Sequence, residues 1–245
     1  MRIRSPAFVA LLLVSLIELV GETTHNPWLI ALSKPLLMPL LAVLVAQAPA
    51  AAAVRSSLYA FLAASWVGDV ALVLAPERPG DVDFLGIPKS PAWFLVGVLG
   101  FTFAHSTLIG LFRRVERPEV PGPFPSRWLS FAPLAAYGLL LLVWILPNVY
   151  ADPERSVATV PVALYGTLLH TMVAFAIQRA GRVNDASFRI TLAGAMVFLL
   201  SDSCIGVAHL VLHGREPLSG LVIMTTYILA QVLLVAGLIR QFEPA

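Results

Sequence analysis

Residues 129–147 read LSFAPLAAYGLLLLVWILP and contain no charged side chain. An α-helix rises about 1.5 Å per residue, so this run approaches the ~20 residues needed to cross ~30 Å of hydrocarbon in a bilayer. Seven further apolar runs of similar length lie along the chain. We predict eight transmembrane helices, at residues 6–23, 30–48, 58–75, 91–112, 129–147, 157–178, 189–212 and 219–239.

The composition excludes a water-soluble globule. Hydrophobic residues make up 58% of the chain and charged residues 12%, with a mean hydropathy of +0.85. Soluble domains usually carry about 25% charged residues, so polar surface is too scarce here to face water. The connections between apolar runs reach only about 15 residues, too few for a separate domain. The prediction is an all-α integral membrane bundle of eight helices, with residues 1–245 as one transmembrane domain.

Other classes of site are excluded on simple grounds. The net charge is only +2, and basic residues stand singly or in pairs, so we expect no nucleic-acid partner. Cys204 is the one cysteine, which rules out an intrachain disulfide and a cysteine-based zinc site. Arg2 and Arg4 before an apolar run resemble the start of a signal peptide. Because Glu18 interrupts that run and no A-x-A site follows, we interpret it as an uncleaved first span.

Orientation follows from the loop arginines and lysines, which are enriched on the cytoplasmic side. The side that holds both termini carries eleven: Arg2, Arg4, Arg55, Arg113, Arg114, Arg117, Arg127, Arg179, Arg182, Arg189 and Arg240. The other side carries five: Lys34, Arg78, Lys89, Arg155 and Arg215. We therefore expect a multi-pass protein of the bacterial plasma membrane with both termini in the cytoplasm.

Ionisable side chains inside the membrane are the candidates for function, because each costs about 2.5–3.5 kcal/mol to insert at the bilayer centre. Glu18, Asp69 and Asp202 lie on spans that run outward, each about 11–14 residues from the inner end, so all three sit at a similar height in the outer half. Three more polar residues fall at a comparable depth: Lys34, Tyr165 and Tyr227. This set predicts a shared cavity, with His105 and Gln231 as further polar groups in the bundle.

Structural explanations compete for several of these residues. Glu18 and Lys34 could form a buried ion pair that joins spans one and two. The tyrosines and Gln231 could be interhelical hydrogen-bonding groups, and His170 is better explained in that way than as a catalyst. For Asp69 and Asp202 a functional role is favoured over a structural one, because the short aspartate side chain cannot extend far from the membrane interior toward water.

A zinc site is a weaker hypothesis. His209 and His213 have the i, i+4 spacing of metal ligands, and Asp202 lies on the same helix face. However, His105 is too deep toward the cytoplasmic end to complete the site at about 2.0–2.1 Å. We therefore expect no metal and no cofactor.

The chain resembles the YhhN family of lysoplasmalogenase-like membrane proteins along most of its length. The matching segments are Ser33–Met38, Gly68–Leu72, Phe94–Gly97, Phe101–His105, Tyr165, Met172, Gly194–Asp202, Tyr227, Ala230 and Gln231. The sequence departs from the family pattern in its long Pro-rich segment 116–126 and in the pair His209 and His213.

The resemblance implies an ether hydrolase that cleaves the vinyl ether bond of a lysoplasmalogen, or of a related lysolipid, to a fatty aldehyde and a glycerophospho-head-group. That reaction needs a proton at the β-carbon, a negative charge beside the resulting oxocarbenium ion, and a water molecule. Asp69 and Asp202 as one protonated and one ionised carboxyl would supply the first two. Lys34 would hold the substrate phosphate or act on Glu18 or Asp69. The expected partners are this lipid and the bilayer.

Two other classes use buried carboxylates. An intramembrane aspartyl protease would need Gly where Trp66 stands and Tyr where Ser201 stands, so we reject it. A small proton-coupled transporter is the alternative, although no paired broken-helix segments are visible in the sequence.

Overall fold

The computed structural model describes residues 5–75, 91–151, 159–212 and 219–243. Within these ranges it contains no strand and eight helices long and apolar enough to cross a membrane, which confirms the predicted all-α bundle. The helices are α1 (Pro6–Thr24), α2 (Pro27–Ala46), α3 (Arg55–Leu74), α4 (Pro91–Phe112), α5 (Ala132–Ala151), α6 (Thr159–Ile177), α7 (Asp185–Ile205) and α8 (Ser219–Arg240). A π-helical turn, Gly206–Val211, continues α7. The division into a single domain stays a prediction.

Two helix bounds differ from the sequence prediction for local reasons. Helix α2 begins at Pro27 instead of residue 30, because the Asn26 side chain accepts the free backbone N–H groups of the first turn. Helix α5 passes through Pro147 and ends at Ala151. One turn of α5 around this proline is supported by the Asn148 side-chain amide, which donates to the Trp144 carbonyl at 2.7 Å.

Helix α2 contains two prolines, and a neighbouring side chain compensates for one of them. Pro39 has no N–H to donate to the carbonyl of Pro35, four residues earlier. The indole N–H of Trp66 on α3 donates to that carbonyl at 2.9 Å. This contact fixes α2 against α3 at the level of Lys34, so the sequence around the prolines positions a buried cation.

The core is formed where small residues let helix backbones approach. Packing is most extensive between α7 and α8 and between α3 and α4. A Cβ placed on Gly100 of α4 would lie 2.8 Å from the Gly68 backbone nitrogen of α3. A Cβ on Gly237 of α8 would lie 2.7 Å from the backbone nitrogen of Thr191 on α7. Close contacts of this kind replace the hydrophobic effect, which does not hold helices together in lipid.

The connections on one side of the bundle converge. Gln241 donates to the Arg114 carbonyl at 2.9 Å, and Asn184 donates to the Glu116 carboxylate at 3.1 Å. Arg114 in turn donates to the Ala53 carbonyl at 3.3 Å. The α2–α3, α4–α5 and α6–α7 connections therefore lie at the same end as the end of α8, as the alternation of eight helices requires.

Arg179 at this end is a structural residue, although the sequence suggested only a loop arginine. Its side chain is fully buried, 5.4 Å from the centre of the Phe112 ring, and donates to Ser187 at 3.1 Å and to Gln241 at 2.7 Å. Burial lowers the pKa of Arg179 to about 10, against the opposing effect of Glu116. The guanidinium is therefore still charged at neutral pH and joins α6, α7 and the end of α8.

Candidate functional site

Asp69 forms the first of two carboxyl–phenol pairs. It lies on α3 and is 1% exposed. The Tyr227 hydroxyl on α8 donates to its Oδ2 at 2.8 Å. Since Gly68 precedes Asp69 and packs directly on Phe101 of α4, the close α3–α4 contact fixes the position of this carboxyl.

Asp202 forms the second pair. It lies near the end of α7 and is half-buried, and the Tyr165 hydroxyl of α6 donates to its Oδ2. The sequence placed both tyrosines at the depth of the carboxyls. The structure shows in addition which tyrosine contacts which aspartate, and that the two pairs draw on four different helices.

An aromatic cluster connects the two pairs. The ring of Phe198 lies edge-on to Tyr227 at 5.7 Å and to His105 at 4.7 Å, and His105 lies 5.6 Å from the ring of Tyr165. Phe101 packs edge-on to Tyr227 at 5.9 Å. The two carboxyl–phenol pairs are thus connected through packed aromatic rings.

Lys34 and Glu18 complete the charged surroundings of Asp69. Both are buried, and both act electrostatically on the Asp69 carboxyl, Lys34 attractively and Glu18 repulsively. The Ser33 hydroxyl donates to a Glu18 carboxylate oxygen at 2.6 Å. Lys34 and Glu18 are therefore the buried charged residues of α1 and α2 closest in effect to Asp69.

His105 and Gln231 are fully buried polar residues beside these pairs. Nδ1 of His105 lies 2.6 Å from the Phe101 carbonyl, which can only accept, so this nitrogen carries the proton and Nε2 presents a lone pair. Gln231 lies one turn beyond Tyr227 on α8. Both residues are thus buried polar groups within reach of the carboxyl–phenol pairs, and their roles stay predictions.

A cavity opens beside the second pair. Asp202, Tyr165 and His170 are its polar side chains of note, and its other walls are largely apolar, formed by α3 to α7 and the π-helical turn. Asp69 does not line it. Phe101 does, and it packs against Tyr227, the hydrogen-bond partner of Asp69. The cavity is thus lined by Asp202 directly, whereas the rings of Phe101 and Tyr227 lie between the cavity and Asp69.

The structure changes the interpretation of His170. Its Nδ1 lies 2.7 Å from the Gly166 carbonyl of its own helix, and its ring lies where a Cβ on Gly138 would stand 2.8 Å away. Within the described residues Nε2 has no hydrogen-bond partner. The expected hydrogen bond from His170 to another helix is therefore absent from the described part of the chain, and the residue lines the cavity instead.

The two histidine side chains on which the zinc hypothesis depends are not among those that the structure describes. His213 lies outside the described residues, and the side chain of His209 is likewise not described. No group of three His, Cys, Asp or Glu side chains that could hold a metal ion is found among the residues that are described. Loop residues Arg2, Arg4, Arg78, Lys89, Arg155 and Arg215, used for orientation, also lie outside the described ranges.

Ser33 and Phe198 contact site residues and were not among the predicted ones, and Glu22 is a further buried carboxyl on α1. Ser33 is a hydrogen-bond donor to Glu18, and Phe198 packs between Tyr227 and His105. Glu22 is 5% exposed, and a Cβ on Gly220 would stand 2.0 Å from its carboxylate. A glutamate one turn beyond Glu18 on α1 is the signal that could have indicated this further buried carboxyl.

Comparisons with known proteins find relatives of this chain. The sequence model of the YhhN family matches residues 29–238. Over 154 residues, 62% of this chain, it is 30% identical to a protein of Mycobacterium bovis named lysoplasmalogenase. Over 161 residues, 63% of this chain, it is 29% identical to human lysoplasmalogenase TMEM86B.

The matched regions cover 54% of the Mycobacterium protein and 58% of the human protein, so the chain spans a little over half the length of these relatives. No solved structure matches.

Proposed function

The chain belongs to the YhhN family, and from this premise we propose that it is a membrane-embedded hydrolase of lysoplasmalogens or related vinyl ether lysolipids. The observation that carries the proposal is the pair of carboxyl–phenol contacts, Tyr165–Asp202 and Tyr227–Asp69, next to an apolar cavity. The names of the Mycobacterium and human relatives support the same substrate class.

The reaction is a proton-initiated hydrolysis. A carboxyl donates its proton to the vinyl carbon β to the ether oxygen, and the adjacent carbon becomes part of an oxocarbenium ion. Water adds to that carbon and gives up a proton. The hemiacetal then collapses to a fatty aldehyde and a glycerophospho-head-group. A second carboxylate stabilises the cation, as one does in glycosidases.

We assign the two aspartates different positions relative to the cavity. Asp202 lines it, so we place the substrate's vinyl ether against this carboxyl as the proton donor. Asp69 has no contact with the cavity and acts through its charge, together with Tyr227. Lys34 is buried and acts on Asp69, which favours an electrostatic role for this lysine over direct binding of the substrate phosphate. Glu18, His105 and Gln231 surround the pairs.

The cavity also suits a single-chain lipid. Leu141, Leu142 and Leu169 are among its apolar walls, and the peripheral helix α5 forms one side. Helix α5 is the least buried of the eight and has exposed Leu139, Leu140 and Val143, which we place against lipid tails. A substrate with one hydrocarbon tail would then pass from the bilayer to Asp202 without crossing water.

The test is product formation by purified protein in detergent. Incubation with a lysoplasmalogen should release fatty aldehyde, whereas the saturated alkyl ether analogue, which cannot form the oxocarbenium ion by protonation, should remain intact. If no aldehyde forms and proteoliposomes take up protons with a solute, the chain is the alternative proton-coupled carrier.

We further propose that both ends of the chain face the cytoplasm, in a bacterial plasma membrane. The support is the excess of Lys and Arg on the side where the α4–α5 connection lies. Reporter fusions after residue 120 and after residue 243 should report cytoplasm, and one within 80–88 should report the opposite side. The reverse pattern would place the carboxyl pairs in the inner half of the membrane.

A further inference from the structure

A second cavity lies at the end of the bundle opposite the carboxyl pairs. It is enclosed by the Pro-rich segment 116–126 and the ends of α4, α5 and α6. Arg113 and Arg182 line it, and no Asp or Glu does among the described residues. The Nε of Arg182 is buried and donates to no described acceptor. Two cationic side chains with no carboxylate among the described lining residues make this cavity suited to an anionic ligand.

The segment over the cavity is held in place by the chain itself. The backbone N–H groups of Glu116 and Arg117 both donate to the Arg182 carbonyl at 3.0 Å. Farther along, the Phe124 N–H donates to the Gln178 side chain at 3.3 Å. These hydrogen bonds therefore hold segment 116–126 over the cavity. They use the backbone carbonyl of Arg182 and leave its guanidinium available to a ligand.

The two acidic residues of the segment, Glu116 and Glu119, are not among the residues that line the cavity. One oxygen of the Glu116 carboxylate accepts from the backbone N–H of Asn184 at 3.3 Å and from its side-chain amide at 3.1 Å. Arg179 is buried nearby, against Phe112, which also lines the cavity. The charge facing the cavity is thus positive.

The apolar walls have the features of a membrane interface. Trp128 is 61% exposed and Phe124 59% exposed, as in the aromatic belts at the level of lipid headgroups. Below them Ala135 of α5 and Ala174 of α6 also line the cavity. Small side chains on two adjacent helices leave room for a hydrocarbon chain directed into the bilayer.

We propose that this cavity binds an anionic membrane phospholipid, with its headgroup phosphate between Arg113 and Arg182 and an acyl chain along Ala135 and Ala174. Guanidiniums match phosphate oxygens in geometry and charge, and basic pockets between membrane helices bind lipid headgroups. The apolar floor and the aromatic rim favour a lipid over free phosphate. The site does not depend on the proposed hydrolase activity.

Native mass spectrometry of the detergent-solubilised protein tests the proposal. The probes are phosphatidylglycerol, phosphatidylcholine with the same acyl chains, and inorganic phosphate. Wild-type protein should retain phosphatidylglycerol in preference to phosphatidylcholine. Arg113→Gln with Arg182→Gln should weaken that binding by roughly tenfold or more, since two charge-assisted contacts are lost. Neither guanidinium bonds to a described residue, so the double variant should fold. Arg189→Gln, exposed on α7 and outside the cavity, is the matched control.

A second variant separates the lipid from the free ion. Ala135→Phe fills the groove and keeps both guanidiniums, so it should reduce phosphatidylglycerol binding. Wild-type lipid preference in the double arginine variant would overturn the site. Displacement of phosphatidylglycerol by inorganic phosphate, with no effect of Ala135→Phe, would show that the ligand is not a lipid.

Discussion

The glycine contact that positions Asp69 gives a prediction with a matched control on the same helix. Alanine at Gly100 would place a Cβ 2.8 Å from the Gly68 nitrogen and 3.0 Å from the Ala64 carbonyl oxygen. These are backbone atoms, so only a shift of α3 against α4 relieves the clash. At Gly110 a Cβ would meet nothing within 4 Å.

The expected magnitude follows from two opposing terms. Both substitutions raise helix propensity by about 1 kcal/mol. The difference between the unfolding free energies of the two variants therefore measures the overpacking at residue 100, which costs about 1–3 kcal/mol. For a chain of this size each kcal/mol corresponds to roughly 2–4 °C in Tm. Gly100→Ala should therefore unfold some degrees below Gly110→Ala. It should also lose on the order of tenfold in activity, because Asp69 moves away from Tyr227.

The assay is tryptophan fluorescence during heating in one detergent, together with aldehyde release at a temperature where both variants are folded. Gly110→Ala serves as the reference for both readouts. If Gly100→Ala matches it in Tm and in activity, the close α3–α4 contact does not position Asp69, and this reasoning is refuted.

Three further predictions concern the site. Asp69→Asn and Asp202→Asn should each lower turnover by at least ~10², and the double variant should be little worse than the poorer single one, because the carboxyls act as a unit; additive losses measured in single turnovers would contradict this. Lys34→Met should lower activity and still give extractable protein, whereas failure to accumulate in the membrane would identify a structural role. Tyr165→Phe removes one hydrogen bond to a carboxyl and should cost about 10- to 100-fold in kcat, measured by aldehyde release.

Much of the fold is predictable because hydropathy and length alone define a membrane helix. Hydropathy does not show where the backbone departs from a regular α-helix, or which side chain compensates for the departure. The span predicted to run to residue 212 changes to a π-helical turn at Gly206, and α2 continues through Pro39 because Trp66 supplies the missing donor. Such compensation comes from other helices, which a single span does not reveal.

The candidate site divides in the same way. Residue counts along each helix gave the common depth of Asp69, Asp202 and the two tyrosines, since depth depends only on the rise per residue. They could not give the rotation of each helix or its neighbours. The pairing of Tyr227 with Asp69, and the opening of the cavity on Asp202, depend on those unknowns.

Mass spectrometry of both products formed in water labelled with deuterium and oxygen-18 tests the central claim most directly. The released aldehyde, trapped at once by borohydride reduction, should carry one deuterium on the carbon next to the former carbonyl. The head-group should keep its original oxygen, since water adds to the vinyl carbon. Asp202→Asn should form neither product at a comparable rate. Heavy oxygen in the head-group, or an aldehyde without deuterium, would contradict proton donation to the vinyl ether by this protein.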